Sequence, residues 1–146
     1  MQKTLADPAA ARVLLNTCGI FPAFSFRFMT THHWYSLESL DDGQLRLLLA
    51  RITQLSKRTW QSIYAERRKT DGIELIPLHE VAQAIQNQIV LWATETGGAE
   101  RLQTIKVGVF RFANQKGRLL GIKNHNCSIF DILAVDVHFR AYDHGS

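Results

Sequence analysis

The chain has little of what marks several classes of protein. It contains two cysteines in 146 residues, Cys18 and Cys127, in a chain long enough to bury a core without covalent staples. A disulfide framework is not needed, and reduced, buried thiols in a cytoplasmic protein are expected. Three prolines and nine glycines exclude a low-complexity or collagen-like chain. No apolar run approaches the ~18 residues of a membrane-spanning helix, so no membrane partner is expected. A secretory leader is not expected either. Asp7 and Arg12 interrupt the apolar stretch, and Asn16-Thr17 are poor residues ahead of a lipidated cysteine.

Chemical signatures are equally scarce. There is no glycine-rich phosphate loop and no GxSxG, which leaves nucleotide hydrolysis and acyl transfer without their motifs. His79-Glu80 resembles the start of a zinc-protease motif, but Gln83 stands where the second histidine belongs. His125 with Cys127, and His138 with His144, lack the paired cysteines that would close a tetrahedral site. Neither a metal nor another cofactor is expected.

What is present is a globular composition: 46% apolar residues, with eight Phe, three Trp and three Tyr. The net charge is +4 and the isoelectric point about 9.3. Arginine, the better residue for bidentate phosphate contacts and for stacking on bases, supplies most of the cations. RNA or the ribosome is therefore a reasonable partner class.

No repeat, low-complexity tract or linker interrupts the chain, and residues 1–146 read as a single domain. Asp7-Pro8 starts a short helix over 9–16, closed by Gly19. The alternation in 24–28 predicts a strand with Phe24, Phe26 and Phe28 on one face, and 32–37 a second short strand. Asp41 or Asp42 caps a helix whose stripe is Leu45, Leu48, Leu49, Ile52 and Leu55. Thr59 caps a further turn carrying Trp60, Ile63 and Tyr64, and 78–92 reads as the second main helix. After Gly97-Gly98 come three strands, near 106–112, 118–123 and 128–136, joined by hairpin loops. The fold class is α+β: an antiparallel sheet of three C-terminal strands plus one or two N-terminal ones, with two main helices packed mainly on one face. Leu48, Ile52, Leu55, Phe110, Phe112, Ile132 and Leu133 are the expected core. Asp131, inside an apolar run, is expected to pair with an arginine such as Arg111 or Arg118, or to sit at an open edge.

Two constellations are candidate sites. Lys57, Arg58, Arg67, Arg68 and Lys69 form the densest cationic run, with Trp60 and Tyr64 nearby to stack bases; the competing reading is a solvated helix end complementing the dipole. The second is the polar coda. In an extended backbone Asp136, His138, Arg140, Tyr142 and His144 share one face, leaving Val137, Phe139 and Ala141 for the other. This places an imidazole, a guanidinium and a phenol side by side, a set suited to binding and cleaving a phosphodiester. An ordinary amphipathic edge strand shows the same alternation. The composition of 32–35, His-His-Trp-Tyr, is also unusual, although strand geometry would split it between two faces.

The ending VGVFRF, GRLLGIKN, IFDILAVD and a tail of the form H-x-x-x-Y, from His138 to Tyr142, is similar to that of small bacterial proteins. Together with a helical first half and a basic surface it resembles the RelE/HigB-type messenger-RNA-cleaving toxins. The resemblance is confined to the C-terminal sheet, and the chain is longer than that family usually is. It implies metal-free endoribonuclease activity, an antitoxin protein as partner, and catalytic roles for Arg118, His138, Arg140 and Tyr142. The rival expectations are a non-enzymatic module that binds nucleic acid or protein in regulation or phage defence, and an adaptor whose apolar strand edge docks another chain.

Overall fold

In the computed structural model, residues 20–67, 72–124 and 128–143 are described. The helix expected over 9–16, both cysteines, Arg68, Lys69, His125 and His144 lie outside them. All described strands join one sheet: β1 (Ala23–Ser25), β2 (Glu74–Pro77), β3 (Lys106–Phe112), β4 (Gly117–Lys123) and β5 (Ile129–Asp136), in the order β1-β5-β4-β3-β2. The described α-helices are α1 (Asp42–Ser56), α2 (Trp60–Ala65) and α3 (Gln83–Thr96).

The fold is α+β, and two details of the expected architecture are corrected. The sheet is mixed, because β1 pairs parallel to β5 through Ala23↔Ile129 and Ser25↔Asp131, while the other neighbours are antiparallel. The main helices lie on opposite faces. Val107 and Val109 of β3 join Ile85, Ile89 and Trp92 of α3; Phe110 and Phe112 join Leu48 and Leu55 of α1 and Trp60 and Ile63 of α2. Connectivity explains this. The passage from β1 to β2 runs from one edge of the sheet to the other, carrying α1 and α2 over one face. The passage from β2 to β3 joins neighbours and lays α3 on the other.

Local signals place the helix starts. Asp41 accepts the Gln44 N–H at 2.7 Å while Gln44 returns a bond to the Asp41 N–H, a capping box. Thr59 accepts the Ser62 N–H at the start of α2. Gly97 ends α3 in the left-handed region at φ 76°. The α1 stripe is narrower than its leucines imply. Leu48, Arg51 and Leu55 are buried, Ile52 is half-buried, and Leu45 and Leu49 are exposed. Arg51 occupies part of the contact, donating Nε–H to the Arg111 carbonyl at 3.0 Å. Of the expected core, Leu48, Leu55, Phe110, Phe112, Ile132 and Leu133 are buried.

The N-terminal strand expectations are also revised. Strand β1 ends at Ser25, so Phe24 packs with the α1-side core while Phe28 joins the α3 side and Phe26 is exposed. Residues 32–36 form a turn rather than a strand. The second main helix begins at Gln83, after a 3-10 turn at Leu78–Glu80. Asp131 is met by the Trp92 indole, whose Nε1–H donates to Oδ2 at 2.9 Å, rather than by arginine.

Candidate nucleic-acid interface

The coda is organised by one carboxylate. Asp136 ends β5 fully buried, and a buried carboxylate needs donors. Oδ1 accepts the backbone N–H groups of His138 at 3.1 Å and Arg140 at 3.2 Å, and Oδ2 accepts that of Ala141 at 2.9 Å. The chain therefore wraps back around Asp136, with Phe139 left-handed at φ 56°. The extended coda expected from alternation is overturned, because an alternating pattern sorts side chains by face only where the backbone is extended. His138, Phe139 and Arg140 are exposed; Ala141 and Tyr142 turn inward, and Tyr142 makes an antiparallel bridge with Val81.

Inside this turn lies a charged cluster. Arg111 and Arg118 are direct cross-strand partners on β3 and β4, an arrangement that destabilises a sheet unless anions compensate it. Glu74 lies 3.6 Å from Arg111, and Asp136 stands opposite Arg118 in register. Arg118 also donates to the carbonyls of Gln115 and Gly117. The Tyr142 hydroxyl donates to Glu74 Oε1 at 3.2 Å and is hydrogen-bonded by Arg118. Burial, then the Glu74 charge, holds the Tyr142 phenol above its ordinary pKa, with Arg118 opposing. Of the four residues expected to act on a phosphodiester, Arg118 and Tyr142 come together but are buried, whereas His138 and Arg140 are on the surface.

Outside the turn the structure joins two segments that are distant in sequence. The His32 carbonyl accepts the N–H groups of Tyr35 and Ser36, and His32 Nδ1 accepts that of Trp34 at 3.2 Å. This tight turn docks on the coda through the Tyr35 hydroxyl, which donates to the Arg140 carbonyl at 3.1 Å. The Arg140 guanidinium then lies 4.2 Å over the Trp34 ring. The His33 ring is 5.0 Å from Trp34 and stacks on His32 at 4.6 Å. Phe139, next to Arg140 in the chain, has its ring 4.9 Å from the Arg118 guanidinium. Trp34 is 39% exposed and Phe139 47%. Flat rings, imidazoles and an exposed guanidinium form a surface that can stack bases and meet phosphate. The composition of both segments is distinctive, but the sequence carries no signal for their contact, which passes through Tyr35 and Arg140.

Of the basic run, Lys57, Arg58 and Arg67 are among the described residues. Arg58 braces the α1–α2 junction, donating to Ser62 Oγ at 3.0 Å and to the Ser62 carbonyl at 2.9 Å, and pairing with Glu66 at 3.3 Å. Lys57 caps the C-terminal end of α1, and Arg67 follows α2 on the surface. Among the described residues no helix is long and apolar enough to cross a membrane. Comparison with protein-family models, curated proteins and solved structures finds no match to the chain.

Proposed function

We propose that the protein binds single-stranded RNA on the Trp34–Arg140 platform, as a non-enzymatic module. The observation that carries this reading is the exposed indole with a guanidinium 4.2 Å above it and an imidazole 5.0 Å away. Base–aromatic stacking contributes about 1–3 kcal/mol per base, and an arginine on the same platform adds charge for the backbone. Fluorescence anisotropy with a short unstructured RNA tests it. Trp34→Ala and Arg140→Ala should each weaken binding roughly 10- to 100-fold with unchanged circular dichroism. No binding by the wild type, or indifference to both changes, overturns the reading.

A second reading keeps the resemblance to RelE/HigB-type toxins and makes the same surface a metal-free endoribonuclease with an antitoxin partner. Its support is His138, an exposed imidazole two residues from Arg140 on one turn. Buried Tyr142, bound to Glu74 and Arg118, is a positioning group in this reading rather than a proton donor to substrate. The test is cleavage of the same RNA. Under the toxin reading His138→Gln lowers the rate roughly 10²–10⁴-fold, the usual contribution of a positioned acid or base. Under the binding reading the wild type leaves the RNA intact.

A further inference from the structure

At the end of the sheet away from the coda, where β3 begins and β4 ends, lies a cavity of about 250 Å³. Its apolar wall is Leu75, 49% exposed, and half-buried Ile105, above buried Ile73 and Phe130, which are seated against the bare backbone of β3. A Cβ on Gly108 would come within 2.8 Å of Ile73 Cδ1 and 2.9 Å of Phe130 Cε1. Tyr64 of α2 also lines the cavity and is 48% exposed. Three cations line the same cavity: Arg101, Lys106 and Lys123. None of them takes part in an ion pair among the described residues, and the Lys123 ammonium lies 5.3 Å from the Trp60 ring.

We propose that this cavity is a binding site, separate from the RNA platform, for a small amphipathic anion: a flat apolar body carrying one carboxylate, sulfonate or phosphate group. A bare inorganic anion would leave the exposed Tyr64 and Leu75 side chains facing water, and a neutral apolar molecule would make no use of the three cations. Only a ligand with both parts satisfies the two halves of the site. Pockets of this kind characteristically combine apolar walls with a few charged groups that fix orientation.

The test is isothermal titration of the full chain with naphthalene-2-sulfonate, with the neutral naphthalene-2-methanol, and with inorganic sulfate. One molecule of the aromatic sulfonate should bind per chain, and the neutral analogue and sulfate should each bind at least about tenfold more weakly. The double variant Lys106→Gln/Lys123→Gln should lose about tenfold or more. Lys116→Gln, on the β3–β4 loop, and Trp34→Ala, on the platform, should bind as the wild type does, which separates this site from the RNA reading. Absence of saturable binding, equal affinity for the neutral analogue or for sulfate, or indifference to the double lysine change overturns the proposal.

Discussion

At the residue scale, Asp136 concentrates the most consequence in one side chain. It holds three backbone donors and, with Phe139 at positive φ, stabilises a backbone conformation that costs a bulky L-residue about 1–3 kcal/mol. Asp136→Ala would strand those donors and remove the carboxylate that stands opposite Arg118 in register. A loss of about 3 kcal/mol is expected in urea unfolding, together with loss of the RNA binding proposed for the platform, because Arg140 would leave Trp34. Tyr142 makes a pH-dependent contribution. Its phenol is held above the ordinary value of 10.0 by burial and by Glu74, so the folded state favours the neutral form. The resulting stability is fully present below pH 10 and is lost as pH rises through the folded value. Tyr142→Phe should cost about 1 kcal/mol at neutral pH, and the difference from wild type should shrink in unfolding measured above pH 10.

At the scale of elements, the two cores are built on alternate residues of the same strands, so helices α1 and α3 are stabilised through separate contacts. Leu48→Ala and Ile85→Ala should each cost about 2–5 kcal/mol. The double variant should be additive to within about 0.5 kcal/mol, since the two sites share no partners. A coupling well above that would show the sheet transmitting repacking from face to face. The β3–β4 loop is a second local feature. Ala113, Asn114 and Gln115 all have positive φ, at 54°, 54° and 68°. Asparagine tolerates that region, whereas glutamine adopts it at a cost. Gln115→Gly should raise the melting temperature, the gain being up to about 1 kcal/mol.

At the scale of the molecule, the net charge of +4 is spread among separate sites. Arg58 and Arg111 are engaged in internal ion pairs, and exposed Arg140 serves the platform. The proposed RNA binding, dominated by stacking, should therefore depend only mildly on salt. For a single strand contacting two or three phosphates, the logarithm of the association constant should fall against the logarithm of salt with a slope of about −1.4 to −2.1. A slope steeper than about −4 would move the contact surface toward exposed cations such as Lys57 and Arg67.

By itself the sequence determined the features that depend on near neighbours. The caps at Asp41 and Thr59 need a side chain and an amide three residues on. The faces of β3 follow from period-two alternation within a strand that is in fact extended. The tertiary structure alone decided the rest. The parallel partner of three-residue β1 depends on where β5 comes to lie after the chain has crossed the sheet. Placement of the helices on opposite faces follows from which edges the connections join. The platform exists because the Asp136 carboxylate gathers the amides of residues 138, 140 and 141, and because Tyr35 reaches Arg140 across 105 positions of chain. Periodicity carries no information about a buried carboxylate bending the backbone around itself, so the residues of the coda were legible as a group but their geometry was not.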